Sequence, residues 1–158
     1  MLKLKQSQHG LTLVEAMIAL LVISIGLLGI AALQLTAMNQ NSSSLNHSQA
    51  VRYAYNMSDR IRANMIQFAQ YRGIDTNGPY SQDCEGGPCN PGQMLTADAE
   101  DWKTLVETLP GGRGMIFDDV DGVRVVVMWD DNGTAAAGTG CDPGNVNDLT
   151  CYSLVVAQ

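Results

Sequence analysis

The feature that most limits how this chain can fold is a long stretch near the N-terminus without charge. No Asp, Glu, Lys or Arg occurs from Ala16 to Val51, and the segment from Ala16 to Leu33 has Ser24 as its one polar side chain. Eighteen helical residues extend roughly 27 Å, which is close to the thickness of the hydrocarbon core of a bilayer. The segment is therefore predicted to be a membrane-spanning helix, since a buried helix of this length in a soluble protein rarely lacks a charged edge.

Basic residues lie on one side of this apolar segment. Lys3 and Lys5 precede it, and the next basic residue is Arg52. The positive-inside rule therefore predicts a cytoplasmic N-terminus and a C-terminal region on the other side of the membrane. Two alternatives stay open, namely a plain single-pass anchor and a secretory signal peptide with a small-residue cleavage site at 29–31.

One carboxylate, Glu15, stands at the start of the apolar segment. An isolated carboxylate within a membrane costs on the order of 2.5–3.5 kcal/mol, less near the interface, and an acid close to a helix start gains from the helix dipole. A signal peptide has no use for such a group. Glu15 therefore favours a retained helix in which something offsets the cost, and the alternative is that its side chain reaches the lipid headgroups.

The residues around Glu15 match a known pattern. Gly10-Leu11-Thr12-Leu13-Val14-Glu15, after a short basic leader, resembles the prepilin peptidase site of type IV pilins and type II secretion pseudopilins. The resemblance implies cleavage after Gly10 and N-methylation of Leu11, which stands where these families usually carry phenylalanine. It also implies that Glu15, as the fifth residue of the mature chain, pairs with the N-terminal amine of a neighbouring subunit and sets the axial stagger.

The anchor from Ala19 to Gln34 is similar to that of the PilV group of minor pilins, and it lacks the proline that many major pilins carry. This resemblance implies a structural subunit that helps to start or cap a type IV pilus and modifies its function in motility, adhesion or DNA uptake. The implied partners are other minor pilins, the major pilin, the prepilin peptidase and the inner-membrane assembly platform. The implied location is the inner membrane, with a periplasmic C-terminal domain, and then the pilus. A minor pseudopilin of type II secretion is the alternative.

The expected organisation is a leader at 1–10, a transmembrane and filament-core helix at 11–35, and an exported domain at 36–158. One helix is predicted from near Thr12 to about Tyr71, loosened around 41–44 and ended by Gly73. Apolar residues at steps of three and four give this helix a buried stripe, which comprises Ala50, Ala54, Met57, Ile61, Met65 and Phe68.

The remainder predicts a short helix and three strands. The helix begins near Thr96 with acids in its first turn, buries Trp102, Leu105, Val106 and Leu109, and stops at 110–112. Met115–Asp118 and Val123–Trp129 are predicted to form a hairpin, and Tyr152–Ala157 a third strand. The predicted fold class is α+β, with a long helix packed on a small antiparallel sheet, which is also the pilin layout.

Four cysteines lie in the second half of the chain. Zinc sites favour tight spacings such as C-x2-C with histidines nearby, and neither is present. An even number of cysteines beyond an export segment predicts disulfides formed in an oxidising compartment. Three pairings are possible in principle, and we favour Cys84–Cys89 with Cys141–Cys151, because both pairs bracket loops rich in Gly, Pro and Asn.

Catalysis and nucleic-acid binding are not expected. Without residues 1–10 the chain has seven basic against sixteen acidic residues, a formal charge of −9 that disfavours a phosphate backbone. Arg52, Arg60 and Arg62 are interpreted as a solvated helix face. No hydrolase elbow, zinc-protease motif or P-loop occurs, so no enzyme, cofactor or metal is predicted.

Two acidic segments, 118–121 and 130–132, suggest a calcium site. Placing the glycine that follows either segment, Gly122 or Gly133, at the sixth position of an EF-hand loop puts Phe117 or Met128 at the first ligand position. An apolar side chain cannot bind calcium there. Both segments are therefore interpreted as turns.

Overall fold

The computed structural model describes residues 12–82, 84 and 86–158. Its elements in chain order are α1 (Leu13–Ala63), a 3-10 helix (Met65–Tyr71), α2 (Pro91–Val106), β1 (Arg113–Asp119), β2 (Gly122–Trp129) and β3 (Thr150–Ala157). Two compact units divide the chain at Ser42, and we call Met1–Ser42 the N-terminal unit and Ser43–Gln158 the C-terminal unit. The predicted α+β class, a long helix with a small antiparallel sheet, is confirmed.

Helix α1 is continuous through 41–44, so the predicted loosening there is wrong. Ser and Asn disfavour helices when their side chains compete for the helical backbone. Here the hydroxyl of Ser43 instead donates to Asp131 over 2.6 Å, and that of Ser48 donates to the carbonyl of Ser44 over 2.9 Å. Both hydroxyls are therefore satisfied without breaking the helix.

The predicted end of this helix near Tyr71 is also wrong, because α1 ends at Ala63 and a 3-10 helix follows. Asn64 marks the change. Its amide side chain donates to the Tyr71 hydroxyl over 3.2 Å and to the carbonyl of Pro91 over 2.8 Å, and its own carbonyl accepts from Gln67 with 3-10 spacing. Gly73, at φ 81°, then redirects the chain towards β1.

The core of the C-terminal unit lies between α1 and one face of the sheet. Four stripe residues of α1 are fully buried, namely Ala50, Ala54, Met57 and Ile61. Val123, Val125, Val127 and Trp129 of β2 face them, as the alternation predicts. Phe68 is buried as predicted, whereas Met65 is 42% exposed, because the chain leaves the α-helical repeat before it.

Helix α2 starts at Pro91, five residues before the predicted start. Asn90 and Gln93 form a capping box, in which Asn90 Oδ1 accepts from the Gln93 amide at 2.9 Å and Gln93 Oε1 accepts from the Asn90 amide at 3.0 Å. Pro at the first helical position completes a strong start signal. Trp102, Val106 and Leu109 are buried, while Leu105 is only partly so.

The strands form one antiparallel sheet in the order β1-β2-β3. Asp119 pairs with Gly122, so a two-residue turn joins β1 to β2, and both strands are longer than predicted. Gly114 lies beneath Trp102 on the inner face, where a Cβ would stand 2.5 Å from the indole ring. This close approach explains the glycine in the middle of a strand.

Disulfides join the two local cysteine pairs, Cys84–Cys89 and Cys141–Cys151. The second bond lies on the outer face of the sheet, the face directed away from α1. There it supports a small cluster in which Val126, Met128 and Leu149 are buried. The loop between β2 and β3 therefore covers one end of this outer face.

Candidate functional site

The candidate site is the first part of α1, which lies in the N-terminal unit. Every large apolar side chain from Leu13 to Met38 is between 54% and 85% exposed. Within the described residues α1 is the one helix long and apolar enough to cross a membrane. Burying so many aliphatic side chains stabilises a structure by about 25 cal/mol per Å² of apolar area, and the fold of this chain does not bury them. An apolar surface of this extent requires lipid or other helices around it.

The few polar groups of this segment suit an apolar environment. The Ser24 hydroxyl donates to the carbonyl of Leu20 over 2.7 Å, and the Thr36 hydroxyl donates to the carbonyl of Ala32 over 3.1 Å. A hydroxyl bonded in this way to its own helix leaves no unpaired donor in hydrocarbon. The segment can therefore be surrounded by lipid or by apolar side chains.

Glu15 lies in the first turn of α1 and is exposed. Its backbone amide donates to Thr12 Oγ1 over 3.3 Å, and the amide of Ala16 donates to the carbonyl of Thr12 over 3.2 Å, so Thr12 caps the helix. The described residues provide no ion-pair partner for the Glu15 carboxylate. Gly10 and Leu11, the predicted cleavage and methylation positions, lie outside the described residues.

A polar network that the sequence analysis missed lies at the end of α1. Arg60 donates to Asp98 over 3.0 Å and to Asp101 over 2.9 Å, while the Tyr71 hydroxyl donates to the other oxygen of Asp98. The interpretation of Arg60 as part of a solvated face is wrong, since only 28% of its side chain is exposed. The Asp98 carboxylate is nearly buried, so its charge requires a cation nearby. Arg60 is oriented towards it by a 2.9 Å hydrogen bond from its Nε to the side chain of Asn56, one helical turn earlier.

Charge and burial shift two pKa values in this network. Burial opposes the charge on Arg60, but its hydrogen bonds to Asp101 and Asp98 outweigh this effect and raise the pKa of the guanidinium. Burial and the hydrogen bond to Asp98 raise the pKa of Tyr71 well above its usual range. Arg60 therefore stays charged and Tyr71 stays protonated at any physiological pH. The network links α1, the 3-10 helix and α2 through hydrogen bonds. None of its groups is an activated nucleophile.

Four of the five aspartates in the two acidic segments considered for calcium make side-chain contacts within the chain. Asp118 pairs with Arg72 over 3.1 Å, and Asp119 pairs with Arg124 over 2.5 Å. Asp130 accepts from the backbone amides of 134 and 135, and Asp131 accepts from the Trp129 indole over 3.0 Å. In the described part of the chain no group of three or more His, Cys, Asp or Glu side chains could hold a metal ion.

Two family models match the chain. A model described as Tt1218-like, type IV pilin Tt1218, matches residues 32–100, and the model of the prokaryotic N-terminal methylation motif matches residues 5–31. The two matches are adjacent and together cover residues 5–100, which end within α2 and before the sheet. No curated protein and no solved structure gives a significant match.

Proposed function

We propose that this chain is a minor pilin, a structural subunit that takes part in the assembly of type IV pili and modifies their function. One observation carries the proposal: the matched methylation motif continues into a helix whose apolar side chains the fold leaves exposed. A membrane first and a filament core afterwards are two environments that would bury such a helix. The match of residues 32–100 to the Tt1218-like family model supports the same role for the residues that follow.

The proposed maturation follows from the motif. Prepilin peptidase removes residues 1–10 and methylates the new amino group of Leu11. Residues 11–35 anchor the chain in the inner membrane, with the C-terminal unit in the periplasm, until the subunit enters the pilus. The anchor's similarity to the PilV group favours a minor component, whose partners are other minor pilins, the major pilin and the assembly platform.

The first test is the mass of the mature N-terminal peptide from a host that expresses prepilin peptidase. We expect the chain to start at methylated Leu11. A start near Ala32 would instead mean removal of a signal peptide, and an intact Met1 would mean a plain anchor. Either of those results would overturn the proposal.

The proposed role of Glu15 is to pair with the Leu11 amine of a neighbouring subunit. The carboxylate is exposed at the capped start of α1, and no charge follows it before Arg52. Because both charges lose solvation when they pair, the pair specifies axial register more than it adds net stability.

Glu15→Gln is expected to abolish incorporation into pili and to leave membrane insertion unchanged, as measured by immunoblots of sheared pili and of membranes. Ser24→Ala is the matched control, since it removes a hydroxyl that bonds within its own helix. Normal incorporation of the Glu15→Gln variant would refute the pairing.

A type II secretion pseudopilin shares the leader and the anchor. The proposal predicts that the chain occurs in filaments sheared from the cell surface and that its deletion changes piliation. If deletion instead abolished secretion and left surface pili unchanged, the chain would be a pseudopilin.

A further inference from the structure

The two edges of the sheet differ. The edge of β1 is covered by the chain segment after the 3-10 helix: Gly73 donates to Ile116 over 2.8 Å, Ile116 donates to Ile74 over 2.9 Å, and Thr76 donates to Gly114 over 2.9 Å. No described residue pairs with the outer edge of β3. Every second residue of an edge strand directs its N–H and C=O groups outwards, so β3 presents unpaired backbone groups along its length.

Strand β3 also lacks the features that normally keep such an edge from pairing. Thr150–Ala157 has eight residues without a charge, a proline or a glycine. Natural edges are usually blocked by lysine, proline or a bulge. On the outer face of the sheet Val155 and Phe117 remain 43% and 41% exposed. They lie outside the end that the β2–β3 loop covers.

A cavity of about 510 Å³ lies on this outer face. Its lining includes Val126 of β2, Ser153 of β3 and the disulfide between Cys141 and Cys151. A strand placed beside β3 would direct alternate side chains over the same face, and the cavity could receive one of them. The site therefore offers main-chain pairing together with a pocket for a side chain, which is how strand addition gives both affinity and specificity.

Charges at the two ends of β3 indicate what the added strand must carry. Asp121 adjoins Gly122, the partner of Ala157 at one end, while Asp142 and Asp148 flank the disulfide and Leu149 at the other. Within the described residues none of these three carboxylates has an Arg or Lys partner. A second copy of this chain, with a formal charge of −7, would be repelled.

From these observations we propose that β3 binds an extended strand of a different protein, one with an uncharged centre and basic residues at both ends. The strand extends the sheet to four strands by main-chain hydrogen bonds to β3. The long basic side chains at its ends reach towards carboxylates in the β1–β2 turn at one end and in the β2–β3 loop at the other, and one of its other side chains enters the cavity. This inference goes beyond the proposed function and stands on the sheet alone, so it holds whether or not the N-terminus is processed.

Amide hydrogen exchange on the purified full chain in detergent micelles tests the proposal. The probe is a short peptide of alternating Thr and Val with two lysines at each end, and the comparison peptide has glutamates at the ends. At ten times its dissociation constant the lysine peptide should slow exchange of alternate β3 amides about tenfold, and β1 amides should not change. The glutamate peptide should bind more weakly, most clearly at low salt.

Substitutions in the chain distinguish pairing of the peptide with the edge of β3 from binding of the peptide elsewhere. Val155→Lys should abolish the slowing, because it places a positive charge beside the lysine peptide, while the neutral Val155→Thr should preserve it. Asp121→Asn should weaken binding of the lysine peptide about two- to fivefold. No slowing, slowing outside 150–157, or an unchanged response of the Val155→Lys variant would overturn the proposal. Slowing without peptide that grows with protein concentration would show self-pairing and would also overturn it.

Discussion

The two parts of α1 differ in where their apolar surface goes. From Leu13 to Ser42 apolar side chains lie all around the helix and are exposed, whereas from Ser43 to Ala63 a single apolar stripe is buried against the sheet. A helix that is apolar on every side cannot be satisfied by one partner surface, while a striped helix can. The fold leaves the apolar surface of the first part exposed to lipid or to other helices, whereas the rest of the chain buries that of the second part.

Because of this difference, substitutions in the two parts of α1 are expected to affect different properties of the protein. Substitutions in 43–63 act on the free energy of unfolding of the C-terminal unit. Under the proposed function, substitutions in 13–42 act on membrane insertion and on contacts with other subunits. Stability measurements and assembly measurements should therefore respond to different residues.

The largest expected effect is that of Trp102→Ala. Trp102 is fully buried, lies on Gly114, and donates its indole N–H to the carbonyl of Tyr53 on α1 over 3.0 Å. Removing it should reduce the free energy of unfolding of the C-terminal unit by about 3–5 kcal/mol, as measured by denaturant titration of the full chain in micelles.

The matched control for Trp102→Ala is Leu28→Ala in the exposed part of α1. Leu28 is 71% exposed, so its truncation should change the same free energy by less than about 0.5 kcal/mol. Comparable losses in both variants would mean that the two parts of α1 are not energetically distinct.

A smaller effect on the free energy of unfolding is expected in the polar network around Arg60, near the end of α1. Asp98→Ala removes the acceptor of both Arg60 and Tyr71 and should cost about 2 kcal/mol of unfolding free energy. Asp101→Ala removes an acceptor that is 59% exposed and should cost at most about 1 kcal/mol. Equal costs would show that burial of Asp98 does not strengthen its contacts.

The smallest effect is a dependence of stability on pH. Hydrogen bonds from Arg113, at 2.6 and 3.1 Å, hold the pKa of Asp75 below its usual value. Because the folded-state pKa is lower than the unfolded one, the stabilisation is complete above about pH 4 and is lost as the pH falls through the folded-state value.

Unfolding titrations between neutral and acid pH should therefore show a stability difference between the native chain and Asp75→Asn that shrinks as the pH falls. Arg113→Gln should flatten the profile in the same way. Asp75 and Arg113 both lie in the C-terminal unit, so this acid effect belongs to that unit. A difference that stays constant with pH would contradict the ion-pair explanation.

Periodic patterns predicted much of the fold. The stripe on α1 and the alternation of β2 depend on the 3.6- and 2-residue repeats, and both place the expected side chains in the core. Helix ends were harder, because contacts distant in sequence determine them. Asn64 ends α1 through a hydrogen bond to Pro91, twenty-seven residues later, which no local pattern reveals. The start of α2 was different, since the capping box of Asn90 and Gln93 is visible in the sequence.

The candidate site was predictable to a different degree. The apolar segment and Glu15 follow from composition and position, because a membrane span requires little beyond length and absence of charge. The network of Arg60 and Asp98 was not predictable, since the two residues belong to different helices and only the packing of those helices brings them together. The free edge of β3 also depends on strand order, which pattern alone does not supply.

Both tryptophans of the chain, Trp102 and Trp129, are buried in the C-terminal unit, and the sequence has no others. Intrinsic fluorescence therefore reports on this unit alone and carries no signal from residues 13–42. The indole of Trp102 contacts Gly114 and α1, so its emission should change only when helix and sheet dock. Native fluorescence in a vesicle or micelle sample would follow the folding of the C-terminal unit independently of the state of residues 13–42.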